Sequence, residues 1–261
     1  MTDYGFVVVH VPHSSLEIPD KYRRGILLDN QELNNELNYI TDAYCDELYD
    51  DPRFQNRVVA KYSRLVCDVE RFRDDKAEAN AKRGFGLMYT KTSRGKPLRA
   101  HDQDLRNTIL KEIYDPHHND LTLLVETALR KYGYCLIIDG HSFNSSMIVK
   151  FDNLFSLPDF DIGTDPYHSP KPLAKALAAK VRELGYKPRF NSPFAGSMTP
   201  MKYYKNNKNV MSIMIETNRK LYMDETNGEK SGDFDKTKET CRRLMYCAAE
   251  TALDYWQKNK D

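Results

Sequence analysis

The sequence predicts an α/β protein with three layers, in which helices cover a mixed, mostly parallel central sheet. Apolar strand-like runs alternate with helical stretches along the whole chain, and this order is typical of a parallel or mixed sheet between helices. In addition, 40% of the 261 residues are hydrophobic, which is enough for one large core or two small ones. We interpret residues 1–261 as a single domain.

The first half of the chain begins with a strand and continues with helices. The run Phe-Val-Val-Val-His-Val at 6–11 is apolar enough for a buried strand. Asn30 then opens a helical stretch whose apolar residues recur every three or four positions from Leu33 to Leu48. The remaining expected elements are extended segments at 57–61 and 64–69, a helix at 102–114 that ends at Pro116, and a helix at 121–132 that ends at Gly133.

The second half repeats the alternation. Cys-Leu-Ile-Ile at 135–138 predicts a buried strand, and the apolar spacing of 171–184 predicts an amphipathic helix that ends at Gly185. The remaining expected elements are strands at 187–190 and 210–215, a closing helix at 236–256, and two long loops at 72–100 and 191–209 that form the rim of a site.

Composition excludes several classes of partner. The net charge of +1 gives no general attraction to nucleic acid or to an anionic membrane. No run approaches the ~20 apolar residues of a membrane span, and no secretory signal precedes the first strand, so we expect a cytoplasmic protein. Five cysteines without a C-x-x-C pair argue against a disulfide framework and a cysteine-rich zinc site, and predict buried thiols.

Four apolar runs finish in polar residues that a strand core would not favour. These residues are His13, Asp68, the pair Asp139 and His141, and Glu216. Ligands of open α/β sheets bind beyond the carboxyl ends of the strands, so such residues can converge on one point. Two histidines and one carboxylate leave a zinc ion an open position for water, and a further carboxylate can take that water's proton. The pattern predicts a hydrolytic metal site.

The order of short motifs resembles the N-formylglutamate amidohydrolase family over nearly the whole chain. The motifs are Pro12-His13-Ser14-Ser15, Thr41-Asp42, Ser63 to Phe72, Pro116-His117-His118, Asp139-Gly140-His141-Ser142, and Ile215 to Arg219 with Leu221-Tyr222-Met223. The resemblance implies a phosphorylase/hydrolase-like α/β fold similar to that of zinc carboxypeptidases. It also implies a zinc or other divalent metal cofactor and a small-molecule substrate whose amide lies next to a carboxylate.

The resemblance implies that His13 and His141 are metal ligands. It also makes Asp42 the first candidate for the third ligand, because Asp42 matches the family's Thr-Asp step. Helical spacing from Leu33, however, places Asp42 opposite the apolar stripe. Glu17, four residues after His13, is the competing ligand, since carboxypeptidase-type sites draw a histidine and a glutamate from one loop.

The resemblance also implies roles in catalysis and substrate binding. Glu216 is the expected general base, and His118 is expected to polarise the substrate carbonyl or orient a ligand. Arg71 and Arg64 are candidates for holding a substrate carboxylate, because a guanidinium matches carboxylate geometry. Arg71 is also an expected catalytic residue, since a neighbouring arginine or histidine can stabilise the oxyanion. The family commonly has Asn-Arg where this chain has Glu70-Arg71, which weakens the case for a diacid substrate. Two further expected substrate-binding residues are Asn218 and Arg219.

These observations favour a zinc-dependent amidohydrolase that cleaves an N-formyl or N-acyl amino acid such as N-formylglutamate. One alternative is a metal-free serine hydrolase that uses Ser142 or Ser14 with a histidine and Asp139. The chain lacks a G-x-S-x-G elbow, and the side chains of His141 and Ser142 would point to opposite faces of a strand. The other alternative is a non-catalytic protein that binds an acidic ligand on the same fold.

Overall fold

A computed structural model of the chain describes residues 3–146 and 157–259. Its sheet has six strands in the order β2-β1-β3-β6-β4-β5. β1 pairs with β3, β3 with β6 and β4 with β5 in parallel, whereas β4 runs antiparallel to β6. The mixed, mostly parallel sheet of the prediction is therefore confirmed. The strands are β1 (Val7–Val11), β2 (Arg57–Val59), β3 (Cys135–Phe143), β4 (Phe160–Gly163), β5 (Pro188–Phe190) and β6 (Val210–Asn218).

The helices follow the strands in the expected alternation. They are α1 (Asp20–Arg23), α2 (Asn30–Ile40), α3 (Cys45–Leu48), α4 (Gln103–Ile109), α5 (Asp115–Tyr132), α6 (Lys171–Glu183) and α7 (Phe234–Lys258). A π-helical turn at Leu110–Tyr114 joins α4 to α5. Within the described ranges, none of the helices is both long and apolar enough to cross a membrane.

The chain divides into two compact units, each made of separate segments. The sheet unit consists of Met1–Val11, Tyr44–Val58 and Leu121–Asp261, and the second unit of Pro12–Ala43 and Val59–Asp120. The expectation of one domain stays a prediction.

In the sheet unit, helices pack on both faces of the central strands. On one face, Val8, Ile137 and Val210 pack against Val125 and its apolar neighbours in α5. On the other face, the hydroxyl of Tyr49, just after α3, hydrogen-bonds to the Ile215 carbonyl and to Thr217 Oγ1. Thr217 also lies 3.6 Å from Cys241 Sγ of α7. The three-layer arrangement follows from this burial of both faces.

The second unit is mostly helix and loop around two apolar clusters. One cluster joins Tyr22 and Val66 to Leu105 and Ile109 of α4. The other joins the apolar face of α2, Leu33, Leu37 and Ile40, to Leu65, Tyr89 and Leu98. The predicted amphipathic face of α2 is thus confirmed up to Ile40.

The predicted continuation of that helix to Leu48 is wrong. The helix ends at Ile40, where the Thr41 N–H bonds to the Leu37 carbonyl 3.0 Å away. Tyr44 then adopts a left-handed backbone with φ 63°, which a right-handed helix cannot accommodate. α3 is therefore a separate helix. Asp42 lies in the connecting loop, so its predicted place on the solvated side of a helix is also wrong.

Two other expectations fail for identifiable reasons. Residues 64–69 form turns rather than a strand, because the N–H groups of Val66 and Cys67 bond back to the Ser63 carbonyl. Helical structure also continues through Pro116 instead of ending there. The π turn before Pro116 widens the backbone, which relieves the clash between a proline ring and the preceding turn.

The strands that carry the polar motifs are longer than the sequence indicates. β3 continues to Phe143 and β6 to Asn218, so Asp139, His141 and Glu216 lie inside strands. The short strand β4, which the sequence pattern does not predict, pairs with the last part of β6, from Met214 to Thr217.

All five cysteines are free thiols, four of them buried, as predicted.

Candidate active site

One face of the sheet unit carries a row of buried ionisable side chains. Parallel register aligns His10 with Asp139 and His141 with Glu216. Because side chains alternate along a strand and aligned neighbours share a face, these four residues face the same side of the sheet. Their exposed fractions range from 0% to 5%. Such a concentration of charge-bearing groups inside a sheet indicates a functional site rather than a core.

Asp139 connects the two histidines of this row. Its Oδ1 accepts hydrogen bonds from His10 Nδ1 at 2.7 Å and from His141 Nε2 at 3.3 Å. Its Oδ2 accepts from the Met198 N–H at 2.8 Å. Although burial raises the pKa of Asp139, His141 and His10 together hold that pKa below its usual value. Asp139 is therefore an ionised carboxylate that fixes the His141 ring.

The loop 191–209 is attached to this face of the sheet. Besides the Met198 contact, Asp161 of β4 accepts hydrogen bonds from the N–H groups of Ser192 and Phe194. Asp161 is aligned with Glu216, and burial raises its pKa. The loop was predicted to form a rim, and these bonds anchor it to the strands that carry His141 and Glu216.

The opposite face of the same strands is structural. Ser142 Oγ accepts a hydrogen bond from Tyr222 OH at 2.8 Å and one from Arg219 Nε at 3.3 Å. Gly140 leaves room for the ring of Tyr49, since a Cβ there would lie 2.6 Å from Tyr49 Cδ2. His141 and Ser142 therefore point to opposite faces, as the sequence indicates, and His141 cannot activate Ser142 directly.

Asn218 and Arg219, both expected at the substrate, are deeply buried. The Asn218 amide donates to the Pro158 carbonyl at 3.0 Å, and its oxygen accepts from the Lys220 N–H. Arg219 is 2% exposed and reaches Ser142 as described above. These contacts give both side chains a structural role, while their binding of substrate stays a prediction.

In the second unit, His13 lies among three carboxylates. Its Nε2 donates to Asp68 Oδ1 at 2.9 Å. On the other side of the ring, Nδ1 is 3.7 Å from Asp42 Oδ2 and 3.6 Å from Glu70 Oε2. The sequence places His13 in this position by ending β1 at Val11, so that the Pro12 step turns the chain out of the sheet.

Asp68 organises the cationic side chains around His13. It accepts hydrogen bonds from Arg64 Nη2 at 2.9 Å and from Tyr89 OH, and Arg71 Nη2 lies 3.4 Å away. Although burial raises the pKa of Asp68, Arg71, Arg64 and His13 hold it well below its usual value. Asp68 was expected to end a strand, but it lies in a turn. Within this turn, the N–H of Glu70 donates a hydrogen bond to the Asp68 carboxylate.

The structure separates the candidate third ligands. Asp42 is buried, its N–H bonds to the His13 carbonyl, and its carboxylate faces His13 Nδ1. Glu17 is exposed and makes no ion pair with His13 within the described residues. Glu70, which sequence reasoning treated only as a neighbour of Arg71, is as close to His13 as Asp42. Its presence beside the histidine follows from the turn at 67–71, which no periodic pattern predicts.

His118 contacts the backbone just after Asp68 and the side chain of Tyr114. Its Nε2 donates to the Val69 carbonyl at 2.8 Å, and its ring contacts that of Tyr114 in a tilted arrangement with a centroid separation of 4.1 Å. It thereby supports the segment that carries Glu70 and Arg71. A direct role of His118 in catalysis stays a prediction.

The two units carry side chains of the donor types that a divalent metal takes. His13 and Glu70 in the second unit, and His141, His10 and Asp139 in the sheet unit, are of the types that ligate zinc. His13 and His141 each donate one ring N–H to a buried carboxylate. Metal-binding histidines commonly have such a carboxylate partner, which fixes the ring and raises the basicity of the other nitrogen.

The fold is shared with solved α/β proteins. The crystal structure of N-formylglutamate amidohydrolase from Ralstonia eutropha JMP134 superposes with a TM-score of 0.83 at 21% sequence identity, over 95% of this chain and 94% of that one. A gene product of Agrobacterium tumefaciens gives a TM-score of 0.68 at 18% identity, over 96% of this chain and 90% of that one. The chain thus shares the α/β fold of these two proteins.

Sequence similarity identifies the family. The N-formylglutamate amidohydrolase family model matches residues 6–223. An N-formylglutamate deformylase from Pseudomonas putida is 31% identical over 228 residues, which cover 84% of this chain and 82% of the relative. One from Pseudomonas aeruginosa is 27% identical, with the same coverage. The chain belongs to the N-formylglutamate amidohydrolase family, as its motifs indicate.

Proposed function

We propose that this protein is a metal-dependent amidohydrolase that converts N-formylglutamate, or a closely related N-acyl amino acid, into a carboxylate and a free amine. Family membership and the names of the two Pseudomonas relatives support the reaction. The observation that carries the proposal is the pair of buried histidine–aspartate contacts, His13 with Asp68 and His141 with Asp139. Both are typical of metal ligands and their supporting carboxylates.

His13 and His141 would hold the metal through Nδ1, since Nε2 of each ring donates to an aspartate. Asp42 and Glu70, both next to His13 Nδ1, are the candidates for the third ligand. A divalent ion such as zinc would polarise the substrate carbonyl and acidify a water molecule. Asp68 and Asp139 would keep the two rings in the orientation that binding requires.

Glu216 is the proposed general base. It is 5% exposed and aligned with His141 on the neighbouring strand. In hydrolysis, Glu216 takes a proton from the attacking water as the oxygen bonds to the acyl carbon. It then passes that proton to the departing nitrogen as the C–N bond breaks. With N-formylglutamate the products are formate and glutamate.

Arg71 is the proposed anchor for a substrate carboxylate, with Arg64 beside it. Within the part of the chain described, the buried Nε of Arg71 has no hydrogen-bond acceptor, and its side chain stays 22% exposed. A substrate carboxylate would supply that acceptor. The carboxylate of Glu70 lies 3.6 Å from His13 Nδ1 and also acts on Arg71, whose pKa it helps Asp68 to raise against the effect of burial. A comparison of acidic and neutral substrates therefore tests whether the anchor accepts a second carboxylate.

The test compares hydrolysis of N-formylglutamate with that of neutral N-formyl and N-acetyl amino acids by the zinc-loaded protein. We expect N-formylglutamate to be the preferred substrate. We also expect a chelator to abolish turnover and added zinc to restore it. Glu216→Gln should lower kcat by about 10²–10⁴-fold while the bound metal is retained. Ser142→Ala is the matched control and should keep its turnover. Full activity in Glu216→Gln, or turnover unaffected by chelation, would contradict the proposal.

The third ligand is tested by metal content. Asp42→Asn and Glu70→Gln each remove one charge beside His13 without changing side-chain size. The variant that loses stoichiometric zinc identifies the ligand, and the other serves as its control. If both variants retain zinc with unchanged affinity, neither carboxylate is a ligand.

A further inference from the structure

His10 is an unexpected residue in its strand. Val7, Val8, Val9 and Val11 fill the rest of β1, and His10 is fully buried among them. A buried imidazole that lacks hydrogen bonds is destabilising, so a polar group here needs a specific partner. Its Nδ1 has one in Asp139 of the adjacent strand.

The contacts of Asp139 are unequal. The bond from His10 Nδ1 to Oδ1 is 2.7 Å long, whereas His141 Nε2 lies 3.3 Å from the same oxygen. The Met198 N–H holds the other oxygen at 2.8 Å. Because the two shorter bonds come from His10 and from a backbone group, they determine where the carboxylate lies. His141 contacts an oxygen whose position these two donors have already fixed.

We propose that His10 is a positioning residue, which through its Nδ1–H holds Asp139 in the orientation that directs the ring of His141. The inference rests on the proposed function, in which His141 is a metal ligand. Residues that orient metal-binding histidines typically change metal affinity by about 10–100-fold when replaced. His10 would act one bond further out, through a carboxylate that it shares with the ligand.

A matched pair of substitutions separates the hydrogen bond from the volume of the ring. Asparagine places an N–H donor on Cγ, as histidine places Nδ1, whereas leucine has a similar branched outline without a donor. We expect His10→Leu to weaken zinc binding by about 10–100-fold and His10→Asn to stay within about threefold of the unchanged protein. Zinc affinity is measured by competition with a chromophoric chelator, and kcat and KM for the preferred substrate are measured in parallel. The loss in His10→Leu should fall on kcat rather than KM.

His168 offers a control in the same unit. It is also buried, donates from Nδ1 to the Val210 carbonyl at 2.7 Å, and accepts the Lys205 N–H on Nε2. His168→Leu should lower thermal stability but leave zinc affinity unchanged. A loss of zinc affinity in His168→Leu equal to that in His10→Leu would show that general destabilisation, rather than the bond to Asp139, weakens binding.

The outcomes distinguish the two proposals. If the unchanged protein neither binds zinc nor hydrolyses the substrates, the proposed function fails and this inference fails with it. If the unchanged protein binds zinc but folded His10→Leu binds equally well, or if His10→Asn weakens as much as His10→Leu, the inference alone is overturned. If His10→Leu does not fold, NMR spectra of the unchanged protein labelled with ¹⁵N-histidine test the inference instead, because they show which ring nitrogen of His10 carries the proton. We expect His10 to be protonated on Nδ1, and a proton on Nε2 alone would overturn the role.

Discussion

Replacing Asp68 with asparagine is expected to destabilise the protein by about 3–5 kcal/mol, which is the usual cost of removing one partner from a buried ion pair. Asp68 is fully buried and accepts from His13 at 2.9 Å, from Arg64 at 2.9 Å and from Tyr89. Arg71 lies 3.4 Å away. Asparagine has the same shape, but it removes the negative charge that both guanidinium groups share and presents an NH₂ group to donors.

Urea unfolding followed by circular dichroism measures this loss. Tyr89→Phe is the matched control, because it removes the hydrogen bonds of the Tyr89 hydroxyl with Asp68 and with Arg64 Nε and leaves the ion pairs intact. Its expected cost is about 2 kcal/mol, at about 1 kcal/mol for each bond. If Asp68→Asn at pH 7 costs no more than Tyr89→Phe, the charge of Asp68 does not hold the two arginines and the reasoning is wrong.

The pH dependence gives a second check. The pKa of Asp68 is well below its usual value because Arg71, Arg64 and His13 outweigh the effect of burial, which acts in the opposite direction. A lowered pKa contributes stability above the unfolded-state pKa of about 3.9, and this contribution is lost as the pH falls towards the folded-state value. The difference in stability between the unchanged protein and Asp68→Asn should therefore shrink as the pH falls below about 4.

Two further predictions concern packing and thiol reactivity. Gly140→Ala should cost about 1–3 kcal/mol in urea unfolding, because the new Cβ would lie 2.6 Å from the buried ring of Tyr49. Gly232→Ala, where no atom lies within 4 Å of the added Cβ, should be neutral, and equal effects of the two would contradict the packing argument. Burial raises the pKa of the Cys241 thiol to about 12, so a thiol reagent should label the half-buried Cys247 first in the native protein. Mass spectrometry that finds immediate labelling of Cys241 would refute this.

The alternation of apolar runs and amphipathic stretches was sufficient to predict most of the helices and every strand of the sheet except β4. α6 illustrates why: its apolar face is regular, and Gly185 with φ 87° ends it as expected. Most residues at 64–69 are apolar although they form turns rather than a strand. They are apolar because they fill a cluster with α4, and burial alone does not distinguish a strand from a packed turn.

The candidate site was predicted in part, and the difference follows from local geometry. His141 and Glu216 stand out because polar residues interrupt apolar runs, although they lie within strands rather than after them. The sequence does not predict Glu70 as a neighbour of His13, because a turn determines where its side chain points. The spacing of apolar residues predicts helices and strands but not the geometry of a turn. His10 is recognisable in the sequence as a single histidine in a run of valines. Its role, however, depends on its alignment with Asp139 on the neighbouring strand, which sequence alone does not give.

The order of the strands has a consequence for synthesis on the ribosome. β1 lies between β2 and β3, and Val7 is aligned with Leu136. At about 5–20 residues per second, β1 emerges on the order of ten seconds before its central partner. During that interval only the short edge strand β2 is available to pair with it, and a valine-rich segment that is fully buried in the finished protein stays open to other chains. We therefore expect β1 to be the segment that most needs protection by a chaperone in the nascent protein.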